Sequence, residues 1–257
     1  MKLSEKERID KIGFGGYVVI QEASFGYGVD SVLLADFVSR ICESANLCNI
    51  SKTIKVEKEK YIKIADLGTG SGIIPFILAH KIYNSKITGI EVRKNAYENA
   101  LRACEMNGLK ERVNFVNMDI KSYKADSAFD VVVSNPPYFK ASASIPSTDR
   151  DRLIARHETS ADIYDFCNKA SELLVKGGHF FIVHRPDRLA DIFDAVRKSK
   201  MEVKTVQPIV PMPGKSANII LIHAIKNAGA GIKWMPEIAV HNKDNNYTEE
   251  ILKIYER

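Results

Sequence analysis

Cysteine and tryptophan are scarce in this sequence: four cysteines (Cys42, Cys48, Cys104, Cys167) and a single Trp234 in 257 residues. No two cysteines form a CxxC pair and no histidines cluster beside them. That excludes a disulfide framework and a zinc site, and leaves the thiols as small apolar fillers in a reducing compartment. Long apolar runs are missing too. Lys or Arg interrupts every candidate before the roughly 20 residues that a membrane span needs. Met1-Lys2-Leu3-Ser4-Glu5-Lys6-Glu7-Arg8 is charged where a signal peptide would carry its apolar core. The expectation is a cytoplasmic protein without metal or membrane contact. The net charge of +5 fits a polyanionic partner without demonstrating one.

What is present changes its period along the chain. Residues 1 to about 18 have short strand character. Phe25-Gly26-Tyr27-Gly28-Val29-Asp30 is turn chemistry before a helix whose apolar side recurs through Val32, Leu33, Ala35, Phe37 and Ile41. A Lys/Glu-rich connector, Asn49 to Lys60, leads into alternating strands and helices. Strands are expected from Tyr61 to Asp66, Lys86 to Glu91, Val113 to Asp119, Phe129 to Ser134 and His179 to His184. Helices are expected from Ile73 to Tyr83, Asn95 to Met106, Ser160 to Val175 and Asp187 to Lys200. Asn107-Gly108 stops the second in a left-handed cap, and Gly177-Gly178 closes the third. The late runs Val203 to Val210 and Asn218 to Ile225 have no helix-length segment between them, so they pair most simply as a hairpin. This predicts an α/β fold: a Rossmann-like, doubly wound, seven-stranded sheet, mostly parallel with one antiparallel strand near the C-terminus.

Asp66-Leu67-Gly68-Thr69-Gly70-Ser71-Gly72 falls between a strand and its helix, where ligands meet the carboxyl edge of such a sheet. Glycines there let the backbone approach a ligand and adopt positive φ. Their spacing is G-x-G-x-G, with Ile73 where a nicotinamide enzyme places its third glycine to seat a pyrophosphate. Asp66 suits an ammonium group better than a phosphate. Glu91 ends the next strand, where a carboxylate clamps ribose hydroxyls. Asp119 ends the third, placed to accept from an adenine amine. A zwitterionic ligand bearing ribose and adenine satisfies Asp66, Gly68, Gly70, Gly72, Glu91 and Asp119 together, and S-adenosylmethionine is one. The competing reading makes the glycines a tight turn and the acids caps; it is strongest for Asp119, because aspartate is common at strand ends.

Asn135-Pro136-Pro137-Tyr138 follows the apolar run Val131-Val132-Val133. The exocyclic amine of an aromatic base has its lone pair delocalised into the ring, and acceptors for its two N–H bonds return that pair to nitrogen. The Asn135 amide oxygen and the Pro136 carbonyl supply the acceptors, and Tyr138 a stacking face; plain core packing is the alternative for Tyr138. Lys140, Arg150, Arg152, Arg156 and His157 follow, either as a phosphate-binding loop beside the base or as solvated surface. His184 is expected to be satisfied within its strand and Arg93 to lie on the surface. Phe14 and Tyr17 fit either the core or a lid over the base.

In these motifs the sequence resembles class I S-adenosylmethionine-dependent methyltransferases over nearly its whole length. It is most similar to bacterial tRNA adenine-N6 methyltransferases that act beside the anticodon of a valine tRNA. The likeness extends to Phe25-Gly26-Tyr27-Gly28-Val29-Asp30-Ser31-Val32-Leu33-Leu34, Ala155-Arg156-His157-Glu158 and His184-Arg185-Pro186-Asp187-Arg188. The resemblance implies methyl transfer from S-adenosylmethionine to N6 of that adenine, with tRNA as the partner. It also implies that Asp30 and its neighbours enclose the cofactor's methionine end. The expected organisation is a single domain: an N-terminal extension over the cofactor (1–60), a catalytic core (61–226) and a tail (227–257) with a short helix from Thr248 to Tyr255. Asn-Pro-Pro-Tyr by itself leaves open a release-factor glutamine or the N2 of an rRNA guanine. The short leader lacks the helical domain that release-factor methyltransferases share, and no insertion has the size of a DNA target-recognition domain. A non-enzymatic RNA-binding module that keeps the cofactor as a structural ligand is the remaining alternative, and intact Asn135 and Tyr138 speak against it. A monomer is expected.

Overall fold

The computed structural model describes residues 3–4, 7–22, 28–47, 61–137 and 161–256. β1 (Glu7–Gly13) and β2 (Tyr17–Glu22) form an antiparallel hairpin. Its turn runs through Phe14, Gly15 and Gly16, all at positive φ. α1 (Val29–Ser44) follows, then β3 (Ile62–Leu67), α2 (Ile73–Lys81), β4 (Ser85–Glu91), α3 (Lys94–Met106), β5 (Val113–Asn117) and β6 (Phe129–Ser134). Beyond residue 160 come α4 (Ile163–Leu173), β7 (Leu174–His184), α5 (Leu189–Lys198) and the long strands β8 (Met201–Val210) and β9 (Ile219–Lys226). The two-residue strands β10 (Lys233–Trp234) and β11 (Ile238–Ala239) and the short helix α6 (Glu249–Ile254) complete the order.

The main sheet runs β10-β8-β9-β7-β6-β3-β4-β5, with β11 also paired to β8. β9 is antiparallel to β7 and to β8, and the other pairings are parallel. Seven strands of five residues or more therefore form the expected sheet. The two additional edge strands escape sequence reading because two residues carry no periodicity. Central strands β3 and β6 are largely buried on both faces, which is why β6 reads as an apolar run through Val131-Val132-Val133. Helices cover both sides. One core packs α1, α2 and α3 with the hairpin and α6; the other packs α4 and α5. No helix among the described residues is long and apolar enough to cross a membrane.

Local chemistry sets the element ends. Pro75 is tolerated in the first turn of α2, where its missing N–H has no intrahelical acceptor. A capping box starts α4: Asp162 accepts from the backbone N–H of Tyr164 and Asp165, and the Asp165 side chain accepts from that of Asp162. The Asn107-Gly108 stop is borne out: after a right-handed Asn107 at φ −80, Gly108 takes the left-handed turn at φ +66, and the Leu109 N–H returns to the Cys104 carbonyl at 3.1 Å. The Asn107 amide also bonds both the N–H and the C=O of Val18, at 2.9 Å each, fastening β2 to α3. The other expected cap is corrected. Gly177-Gly178 does not close α4, which ends at Leu173. The glycines lie within β7, in an irregularity where Leu174 faces Phe129 but His179 faces Val131. Gly177, at φ +75, absorbs the extra residues.

β2 runs beside α2. Gln21 reaches Ser71 at the glycine turn (3.4 Å), while the Tyr17 ring meets His80 at the helix's other end. Phe14 is 2 % exposed and packs on His80 and on the Tyr255 ring. Nine helical residues span about 13 Å, so Phe14 belongs to the core at the end of α2 remote from the glycine turn. Glu256 closes the same seam through His80 (2.9 Å) and Lys81 (3.5 Å).

Candidate active site

Parallel register brings the expected residues to one sheet edge. Asp66 stands opposite Gly89 and Val133, and Leu67 opposite Ile90 and Ser134. The Ser134 hydroxyl donates to the Leu67 carbonyl at 2.9 Å, so the end of β6 is bonded directly to the start of the glycine turn. That turn is left-handed at all three glycines: φ is +73 at Gly68, +59 at Gly70 and +83 at Gly72. Gly72 is also required by packing. A Cβ there would lie 2.7 Å from the Phe115 ring, and one at Gly89 would lie 2.7 Å from the same ring and 2.8 Å from Thr69 Oγ1. Phe115 thus fills the space that two absent side chains leave, and the close approach at Gly72 is to the protein's own core.

Asp66 is fully buried, and both its oxygens, like Thr69 Oγ1, lack a hydrogen-bond partner among the described residues. Burial pushes its carboxyl up to about 7, and the Glu91 charge adds to the rise. The nearby Thr69 hydroxyl offsets part of it, although no hydrogen bond of good geometry joins the two. Glu91 is 3 % exposed. Its carboxylate accepts from the Gly70 N–H at 2.7 Å, the Arg93 N–H at 3.0 Å and Arg93 Nε at 3.1 Å. Those three donors occupy most of the roughly four lone-pair positions of a carboxylate. Glu91 therefore anchors the glycine turn, and Arg93 is its ion-pair partner besides being partly exposed. Asn117 closes the neighbouring loop by donating to the carbonyls of Glu91 (2.8 Å) and Val92 (3.0 Å). Asp119 lies two residues past the end of β5, where its Oδ1 accepts from the Lys121 N–H at 2.8 Å.

At the end of β6, Asn135 is half-buried and Pro136 buried. Asn135 Nδ2 donates to Ser31 Oγ at 3.0 Å. Ser31 and Asp30 sit in the first turn of α1, so the N-terminal extension reaches this motif directly. Tyr138, Lys140, Arg150, Arg152, Arg156 and His157 lie outside the described residues. His184, at the end of β7, accepts the Arg185 N–H on Nδ1 at 2.8 Å. Burial, with the Arg188 charge, pushes it down to about 4, so it is neutral at physiological pH. Sequence reasoning gave no role to Thr69, Phe115, Asn117 or Ser134, and it placed Ser31 only as a neighbour of Asp30. Of the four, only Thr69 carried a local signal, its place within the glycine turn.

Three buried polar atoms without partners among the described residues, Asp66 Oδ1 and Oδ2 and Thr69 Oγ1, line the glycine turn. Acceptors of that kind fit the ammonium of S-adenosylmethionine, because buried polar groups are otherwise costly. The Gly70 Cβ position, 3.8 Å from Arg93, is ordinary van der Waals contact, so Gly70 is not required there by packing.

Comparison with known proteins agrees with this geometry. The family model of the methyltransferase small domain matches residues 50–206. A tRNA1(Val) (adenine(37)-N6)-methyltransferase of Bacteroides thetaiotaomicron is 30% identical over 196 residues, covering 75% of this chain and 82% of the relative. The protein of that name from Actinobacillus pleuropneumoniae is 28% identical over 189 residues, covering 73% and 78%. Among solved structures, a predicted O-methyltransferase from Agrobacterium tumefaciens superposes with a TM-score of 0.64 at 21% identity, over 88% of this chain and 95% of that one. The T. thermophilus 16S rRNA N2 G1207 methyltransferase, solved with AdoMet and guanosine, gives 0.58 at 19% identity, over 88% and 52%. At these identities the two structures share the fold.

Proposed function

The chain belongs to the methyltransferase small domain family, and from that membership we propose how its own residues divide the methylation of an adenine in tRNA. The chain is an S-adenosylmethionine-dependent N-methyltransferase acting on the N6 amine of a tRNA adenine, as its relatives are named for doing at adenine 37 of tRNA1(Val). When bound, the cofactor supplies a sulfonium methyl, an electrophile strong enough that no protein base is needed before attack.

Asp66 and the Thr69 hydroxyl meet the ammonium end. Glu91 keeps the glycine turn closed and offers its remaining lone pair to a ribose hydroxyl. Asp119 Oδ1 is committed to its turn, and the second oxygen is the one assigned to the adenine amine. The 1–60 segment covers the cofactor from the side of Asp30 and Gln21. Asn135 accepts one N–H of the target amine on Oδ1, and the Pro136 carbonyl accepts the other. This localises the lone pair on nitrogen and holds the amine in line for displacement. Tyr138 supplies the face on which the extruded base stacks, and an anticodon loop makes that extrusion less costly than a duplex would. Lys140, Arg150, Arg152 and Arg156 contact phosphates.

The observation that carries this reading is Asn135 following β6 at the sheet edge shared with β3, where the buried Asp66 has no hydrogen-bond partner among the described residues. The test is tritium transfer from labelled cofactor to a tRNA1(Val) transcript, with a glutamine peptide and an rRNA fragment as controls. Transfer to the transcript alone is expected. Asn135→Ala should slow it by roughly 10²–10³, as for loss of one preorganised contact, with cofactor affinity unchanged. A variant keeping more than half the wild-type rate removes Asn135 from the chemistry.

A further inference from the structure

We propose that Arg185 and Lys215 hold the tRNA backbone, as a phosphate-binding rim on the half of the catalytic edge remote from the cofactor; this rests on the tRNA reading given above. In that reading the cofactor lies over β3, β4 and β5. In-line displacement puts the target amine across the methyl group from sulfur, so the RNA that carries it spreads over β6, β7 and β9. Parallel register sets Ser134 opposite Ile182, so Asn135 and Pro136 leave the sheet beside Val183 and His184, with Arg185 just beyond. On the other side of β7, His184 stands opposite Ile220, at the start of β9. The β8–β9 turn, residues 211–218, therefore rises from the same edge, two strand spacings or about 10 Å from β6.

Both cations stand on anchored backbone with their charged heads in solvent. The Arg185 N–H donates to His184 Nδ1 at 2.8 Å, and its carbonyl accepts the Arg188 N–H at 3.2 Å. Pro186 fixes the next φ and opens a single 3-10 turn to Arg188. The Arg185 side chain is 60 % exposed and meets Asp187, itself exposed, at 3.7 Å. Water and salt screen such a pair, so a phosphate can displace it. Arg188 differs: it is largely buried and bonded to Asp191 at 2.6 Å. In the β8–β9 turn, the Lys215 N–H closes on the Met212 carbonyl at 3.1 Å, Gly214 takes φ +78, and the Asn218 N–H returns to Ile209 at 3.1 Å. Pro213 to Ser216 are exposed. The Lys215 ammonium has neither ion pair nor hydrogen bond among the described residues. An arginine fork matches a phosphate and a lysine meets one as a point charge. Two such groups beside the pocket position the strand without reading its sequence.

Binding of a tRNA1(Val) transcript across a salt series tests the proposal, with wild-type methylation of the same transcript, calorimetric cofactor affinity and thermal midpoints alongside. Arg185→Ala and Lys215→Ala should each flatten the slope of log affinity against log salt by about 0.7–0.9, and the double variant by about twice that. Lines that meet near 1 M salt make the loss about sixfold for each contact at 0.1 M. Other tRNAs should lose affinity alike. Arg185→Lys should keep the wild-type slope, and Arg185→Gln should lose as much as alanine. Lys110→Ala is the control. Its side chain is 62 % exposed but precedes β5, at the opposite edge of the sheet, so its slope should match wild type. An unchanged slope in the double variant overturns the proposal and assigns both cations to solvated surface. A loss that does not vary with salt overturns it as well, because that marks lost packing. Equal flattening in Lys110→Ala does the same, because that marks net charge alone. Should Arg185→Ala fold poorly, the Lys and Gln pair decides. A wild type that neither binds nor methylates the transcript overturns the tRNA reading itself, and the rim falls with it.

Discussion

Asp66→Asn separates the electrostatic cost of burying a carboxyl at the glycine turn from the shape of that site. The carboxyl rises from 3.8 to about 7 in the folded protein, chiefly through burial. Each pKa unit corresponds to about 1.4 kcal/mol, so above pH 7 the ionised group costs the ligand-free fold on the order of 4 kcal/mol. The folded state holds the proton more tightly than the unfolded chain, so stability falls as pH rises through the window between the two values. Below 3.8 there is no penalty, and above about 7 it is complete. Two buried histidines elsewhere in the sheet act in the opposite sense. His184, pushed down to about 4, and His223, pushed down to about 3, contribute stability above the ordinary histidine range and lose it as pH falls. They are common to both proteins, so the difference between wild type and Asp66→Asn isolates Asp66. In urea unfolding of ligand-free protein the advantage of Asp66→Asn should grow by about 2–3 kcal/mol between pH 5 and pH 8. Saturating S-adenosylmethionine should reverse the order, because its ammonium brings the wild-type carboxylate back to the charged form. Binding should then release about half a proton at pH 7 and close to one near pH 6, read by calorimetry in buffers of different ionisation enthalpy. Parallel pH profiles for the two proteins, with no proton release, would refute the reasoning.

Gly89→Ala should destabilise the fold by about 1–3 kcal/mol through overpacking, since its Cβ would lie 2.7 Å from Phe115; Phe115→Leu in the same chain should recover most of the loss in urea unfolding. For the triple Arg150→Ala, Arg152→Ala, Arg156→Ala variant, the slope of log tRNA affinity against log salt should flatten by about 0.7–0.9 for each phosphate contact removed, weakening different tRNAs alike; an unchanged slope assigns these arginines to solvated surface.

The fold was legible wherever burial imposed a pattern. β6 read as an apolar run because both its faces are covered, β3 and β4 read as strands from their short apolar stretches beside the glycine turn and Glu91, and the β8–β9 hairpin followed from the lack of a helix between two apolar runs. Asp66 and the glycine turn were legible because spacing within seven residues encodes them. The contacts that organise the site were not. Ser134 with Leu67 and Asn117 with Glu91 join residues brought together only by sheet order, and Ser31 with Asn135 only by the packing of α1 against the sheet edge. Gly177-Gly178 has the composition of a helix stop, and only the β6–β7 register shows it as a bulge. Arg93 read as surface because nothing local shows that Glu91, two residues earlier, turns back to meet it.

The seam between Phe14 and Tyr255 has a consequence for synthesis. The two rings stack across 241 positions of sequence, with Glu256 joined to His80 beside them. At translation rates of about 5–20 residues per second, Tyr255 emerges roughly 10–50 s after Phe14. β3 to β6, with the glycine turn and Asn135, are available for pairing well before that. The nascent chain therefore holds a nearly complete catalytic edge while the Phe14 ring still lacks its cover, and a chaperone or a truncation acting in this interval meets an apolar patch that the finished protein does not expose.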